Sequence, residues 1–97
     1  MIKNINISEL KHLLSDKELI ILDVRDKEDF QKRRINKAIN IEIEEINNII
    51  KICPNKNKKI LVYCARGVRS IVAAEILEEL GYKEVYNLKG GIEKISK

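Results

Sequence analysis

Apolar and polar positions change rhythm several times along the chain, and each change marks an element. Ile5 and Ile7 alternate with polar neighbours as a short first strand does; Ser8 then stands where a helix cap is expected, with Leu10, Leu13 and Leu14 on one helical face. Leu19-Ile20-Ile21-Leu22 is apolar without a break up to Asp23, the pattern of a strand covered on both faces in a parallel sheet. Asp26 is placed to cap a helical turn through Phe30, and Ala38-Ile39-Asn40-Ile41 reads as a third strand. Ile43, Ile46, Ile49 and Ile50 then keep helical spacing until Cys53-Pro54 interrupts it. Beyond a polar turn at 56–59, Ile60-Leu61-Val62-Tyr63 is a buried strand that runs into Cys64 and a short loop. A helix starts at Ser70, with Ile71, Ala74, Ile76, Leu77 and Leu80 as its buried stripe, and Gly81 ends it. Glu84-Val85-Tyr86-Asn87-Leu88 is the last strand, and Gly90-Gly91 opens a short C-terminal helix. Strands alternating with helices predict an α/β fold: a mostly parallel five-stranded sheet with helices on both faces. Ligands of such sheets bind beyond the C-terminal ends of the strands, where Asp23 and Cys64 stand.

Composition narrows the class. Ninety-seven residues, 44% hydrophobic and 35% charged, make one domain over 1–97 with enough core to fold without staples, and argue against disorder. The net charge of +4 comes from 19 basic and 15 acidic residues mixed along the chain, and aromatics at 4% with no Trp leave few faces for stacking bases, so no nucleic-acid partner is expected. The first residues alternate apolar with polar and never build the apolar run of a signal peptide or membrane span, so the expectation is a cytoplasmic protein with no membrane partner. In that compartment Cys53 and Cys64 are free thiols, and with His12 they fall short of a zinc set; neither metal nor cofactor is expected.

The candidate chemistry lies in Cys64-Ala65-Arg66-Gly67-Val68-Arg69-Ser70, which joins a buried strand to a helix. Successive backbone N–H groups and a positive helix end converge on the thiol there, Gly67 suits the tight bend, and Arg66 and Arg69 add fixed positive charge. Such surroundings bring a thiol from about 8.5 toward roughly 3.5–7.5 and make a thiolate available at neutral pH. The competing reading is a buried structural cysteine with arginines turned to solvent.

These residues resemble the active-site loop of single-domain rhodaneses, and the resemblance spans nearly the whole chain. Asp23-Val24-Arg25, Asp29-Phe30, Ala38-Ile39-Asn40-Ile41, Gly81-Tyr82, Val85, Asn87-Leu88 and Gly90-Gly91-Ile92 fall in that family's order and spacing. The chain departs at Arg33-Arg34-Ile35-Asn36-Lys37, where Gly-His-Ile-Pro-Gly is usual, and at Ile95, where Trp is common. The resemblance implies a rhodanese-like fold and a sulfurtransferase. Cys64 would be its nucleophile and persulfide carrier, and Ala65, Arg66, Gly67, Val68, Arg69 and Ser70 would bind substrate. Thiosulfate or a similar donor would give up its outer sulfur, and a thiol, cyanide or a protein would accept it. Two alternatives stay open. One is a cysteine phosphatase of related fold, whose loops place five residues between cysteine and arginine where Cys64 and Arg69 enclose four. The other is a non-catalytic interaction module, whose mark would be loss of the cysteine.

Other residues carry two readings each. Asp23 and Arg25 either shape the pocket or tie their loop to Glu28 or Asp29 by an ion pair. Lys32, Arg33, Arg34 and Lys37 form a basic cluster that is either solvated or guides an anionic donor or acidic partner. Cys53 reads as a packed or exposed thiol, with a resolving role as the alternative, and His12 as an exposed helix residue. Of the loop arginines, Arg69 is expected to clamp an anion and Arg66 to face outward.

Overall fold

A computed structural model describes residues 2–95. The first strand, β1 (Ile2–Ile5), gives way to α1 (Ile7–Leu14) at Asn6, whose side chain accepts from the Glu9 N–H at 2.9 Å while the Glu9 carboxylate accepts from the Asn6 N–H at 3.1 Å. This reciprocal cap satisfies two otherwise orphaned amides, so Asn6 rather than Ser8 starts the helix, and Ile7 is helical rather than extended. β2 (Ile20–Asp23), the short α2 (Lys27–Lys32) and a two-residue β3 (Ile39–Asn40) follow. β4 (Lys59–Tyr63), α4 (Arg69–Glu79), β5 (Glu84–Leu88) and a 3₁₀ turn (Ile92–Lys94) complete the order.

The segment expected as one helix before Cys53-Pro54 is instead a 3₁₀ stretch (Ile43–Asn48) with Glu45 off helical geometry, then one α turn, α3 (Ile49–Ile52). Branched isoleucines and the Asn47-Asn48 pair are weak helix formers, and Ile46 and Ile49, the segment's two buried residues, enter the core from either side of that pair. In α4 the inward stripe is Ser70, Ala73, Ala74 and Leu77, whereas Ile71 is 44% exposed. The 3.6-residue period selects positions 70, 73, 74 and 77, and Ile71 lies a further 100° round the helix.

The strands form a five-stranded sheet in the order β1-β5-β4-β2-β3, with every neighbouring pair parallel. Alternation along β4 sends Ile60 and Val62 to a core shared with Ala74, Leu77 and Tyr82, and Leu61 and Tyr63 to a second core shared with Leu10, Leu88 and Ile92. Helices thus cover both faces, and the central strand delivers Cys64 to the C-terminal edge of the sheet. Among the described residues no helix is long and apolar enough to cross a membrane.

Candidate active site

The cysteine loop is held from two sides. On one, Gly67 takes φ +89°, and a Cβ there would lie 2.9 Å from the Gly90 nitrogen, so a side chain has neither the conformation nor the room. The bend turns the amides inward: the Gly67 N–H donates to Cys64 Sγ at 3.1 Å and the Ser70 N–H at 3.4 Å. On the other side the loop carbonyls are claimed by the 3₁₀ turn. Cys64 O accepts from the Ile92 N–H at 2.9 Å and Ala65 O from the Glu93 N–H at 3.1 Å. Gly91, at φ +69°, permits this contact, because a Cβ on it would lie 2.3 Å from Ala65 O. With carbonyls pinned outward and amides aimed inward, the loop presents a donor-lined cradle.

At its centre Cys64 is 3% exposed, with Ser70 Oγ 3.3 Å from Sγ. The thiol donates across this contact, and once the thiol has ionised the hydroxyl can turn and donate back. Burial alone pushes the Cys64 thiol up, but the Ser70 hydroxyl and the backbone N–H groups of Ser70, Gly67 and Arg66 outweigh it and hold the thiol below its ordinary value. α4 begins at Arg69, so its positive end adds to the same preference. Ser70 is therefore more than a helix start: its buried hydroxyl contributes a side-chain donor at the nucleophile.

Above the cradle opens a cleft of about 450 Å³, lined by Cys64, Ala65, Arg66, Val68 and Arg69 of the loop and faced by Arg25, Asp26, Asp29 and Glu93. The two loop arginines stand on its rim. Arg66, 79% exposed on its side chain, lies 3.5 Å from Glu93, and Arg69, 60% exposed, lies 3.8 Å from Asp26. Arg66 thus faces outward, while Arg69, expected to clamp an anion, is more than half exposed and paired with Asp26. Asp26 makes no side-chain cap to α2, its expected task, and faces Arg69 instead. The cleft's three arginines are matched by three carboxylates, so an anion entering it is met by amides, not by a net positive lining.

Arg25 does not pair with Glu28 or Asp29. It curls back on Asp23, with Nη2 2.8 Å from Oδ2, and also donates to the carbonyl of Arg33. Asp23 is 0% exposed and accepts from the Arg25 N–H at 2.8 Å, so the pair braces the loop after β2 and leaves the guanidinium at the cleft wall. Cys53 is buried in the core, near the Asn55 carbonyl at 3.6 Å, and lies outside the cleft lining. His12 is exposed near the end of α1. Among the described residues no group of three or more His, Cys, Asp or Glu side chains could hold a metal ion.

Nothing in the sequence alone assigns Asp29, Glu93 or Gly91 to the site. The Gly90-Gly91 pair is a visible signal, but the residues it packs against are not, because the contact joins the loop after β4 to the turn after the neighbouring β5, segments far apart in sequence.

The chain is similar to known proteins over nearly its whole length. The profile of a family described as rhodanese-like domain matches residues 6–97. The chain is similar to the thiosulfate sulfurtransferase GlpE of Coxiella burnetii, 34% identical over 93 residues covering 96% of this chain and 86% of that protein. It is also similar to the thiosulfate sulfurtransferase PspE of Escherichia coli, 41% identical over 76 residues covering 77% of this chain and 72% of that one. Among solved structures, a rhodanese-like domain protein from Staphylococcus aureus superposes with a TM-score of 0.86 at 34% identity, covering 98% of this chain and 92% of the other.

Proposed function

The chain belongs to the rhodanese-like domain family and is a rhodanese-type sulfurtransferase using a thiosulfate-type donor, and we propose that Cys64 carries the transferred sulfur as a persulfide. The observation that carries this reading is the convergence of the Gly67 and Ser70 amides and the Ser70 hydroxyl on a buried Sγ. The Cys64 thiolate attacks the outer sulfur of thiosulfate, an Sγ–S bond forms, and the donor's S–S bond breaks with its electron pair leaving on sulfite. The persulfide keeps one negative charge, so charge balances without an added oxidant or base. The cradle amides then stabilise the terminal sulfur anion, as an oxyanion hole stabilises oxygen. A thiol, cyanide or protein nucleophile attacks that outer sulfur and returns Cys64 as thiolate. No histidine is required, because the nucleophile is already biased toward ionisation.

The four-residue spacing between Cys64 and Arg69 argues against the phosphatase alternative, and so does the pairing of both exposed loop arginines with carboxylates, Arg66 with Glu93 and Arg69 with Asp26. The experiment is intact-mass analysis of reduced protein after thiosulfate. The expected result is one added sulfur atom, mapped to Cys64, removed by cyanide and absent from Cys64→Ser but present in Cys53→Ser. Equal labelling of Cys53, or hydrolysis of an aryl phosphate without any sulfur adduct, overturns the assignment.

A further inference from the structure

Among the described residues a second concavity exceeds the cleft in volume. A groove of about 530 Å³ runs between α1 and the loop at 33–37, floored by Leu10, Leu14, Ile21, Ile35 and Ile95. Its rim carries Lys11 on one wall and Arg33, Arg34 and Lys37 on the other, and none of the residues lining it is acidic. In the cleft every arginine has a carboxylate partner; among the described residues none of these four cations has one. Arg34 lies over the Phe30 ring and donates to its carbonyl, and Arg33 donates to the Ile95 carbonyl, so both are held in place at the rim without being neutralised. Lys37 sits at φ 70°, a left-handed conformation where glycine is the unstrained residue, so the loop keeps a cation there at a cost in backbone energy.

We propose that this groove is a docking site for an acidic amphipathic segment of a partner protein, its apolar side chains on the isoleucine and leucine floor and its carboxylates flanking them on both walls. The charge arrangement selects this occupant. Cations on two opposite walls call for negative charge on both sides of an apolar contact, as a helix with an apolar stripe between acidic flanks supplies it; a single carboxylate headgroup reaches one wall. Two copies of this chain facing each other through the same groove would oppose like charges. Nucleic acid would bring phosphates but nothing to cover the apolar floor. The proposal is independent of the sulfur-transfer reading, because the groove shares neither Cys64 nor the loop amides.

The test titrates the full chain with a fluorescein-labelled helical peptide carrying leucines on one face and glutamates on both flanks. A composition-matched scrambled peptide, a lysine-for-glutamate version and a single-stranded RNA serve as comparisons, and amide chemical shifts map the site. Expected are saturable binding by the acidic amphipathic peptide alone, shifts at Leu10, Leu14, Ile35 and Ile95, and affinity lowered by roughly tenfold or more in Arg34→Glu/Lys37→Glu. Leu14→Ser should weaken binding as well, and Lys37→Gly, which removes the charge while relieving the backbone, gives a folded variant for the same comparison. Thiosulfate turnover in these variants should match the parent chain. Equal binding of the scrambled peptide, shifts mapping elsewhere, RNA binding more tightly at the same amides, self-association lost in the same variants, or no binding at millimolar peptide each overturn the proposal.

Discussion

At Cys64, burial and hydrogen bonding pull the thiol's ionisation in opposite directions, and the donors win. The folded thiol therefore releases its proton at a lower pH than the unfolded chain, whose cysteine ionises near about 8.5. Between those two values the unfolded state binds more protons, so this group's contribution to stability grows with pH, is complete above the unfolded value, and is lost as pH falls through the folded one. Denaturant titrations of the parent chain and Cys64→Ala should diverge in the parent's favour from neutral pH to about pH 9, before tyrosines ionise near about 10. A constant difference across that range would show that the cradle has no preference for the thiolate. Ser70→Ala removes the side-chain donor and leaves the backbone amides, so the midpoint of its iodoacetamide rate against pH should move up by roughly one unit, about the worth of one hydrogen bond to a charged group; an unmoved midpoint would show that the hydroxyl does not favour the thiolate. The thiol, the glycine and the helix start were legible in the sequence, because a cysteine between a buried strand and a helix has few other surroundings. The role of the Ser70 hydroxyl was not, since its aim depends on how far the loop bends back before α4 begins.

Among the elements, the least conspicuous holds the site. The 3₁₀ turn Ile92–Lys94 takes the Cys64 and Ala65 carbonyls, and Gly91 lets the two backbones meet. Gly91→Ala should cost at least about 1–2 kcal/mol from its positive φ alone, and the 2.3 Å overlap with Ala65 O forces the loop itself to move. Sulfur transfer should consequently fall more than global stability, measured as kcat/KM at a temperature where the variant stays folded; loss of stability with an unchanged rate in the folded fraction would separate Gly91 from the loop. Lys37→Gly is the converse case, a residue already at positive φ with no need of its side chain for the fold, and should raise stability by roughly 0.5–1 kcal/mol in thermal unfolding. The strands were readable because uninterrupted apolar runs have few other uses. Helix starts were less so: Asn6 and Ser8 are equally good caps by residue type, and Glu9 decides for Asn6 because it lies at the third helical position from Asn6 and next to Ser8. The 43–52 segment misled because four isoleucines at helical spacing also fit a 3₁₀ stretch followed by a single α turn.

The order β1-β5-β4-β2-β3 is a property of the whole molecule that the order of elements along the chain does not reveal. Alternating strands and helices imply parallel pairing, but the partners of β4 follow from which faces α1 and α4 cover, and that depends on packing between residues far apart in sequence. The result places the strand that leads into Cys64 in the middle, with β5 and β2 on either side, and leaves β1 and the two-residue β3 at the edges. A nucleophile that must stay in a cradle through two chemical steps is thus attached to the part of the sheet with the most to lose on opening. Edge strands can detach after losing one ladder, whereas β4 must lose two and expose Ile60, Leu61, Val62 and Tyr63, all fully buried. Native-state hydrogen exchange should therefore show the β4 amides opening only with global unfolding, with the full denaturant dependence of that transition, and the β1 amides opening at a lower free energy with a shallower dependence. If β1 were as protected as β4, with the same slope, the sheet would open as one unit, and the central position of β4 would give the cysteine loop no special rigidity.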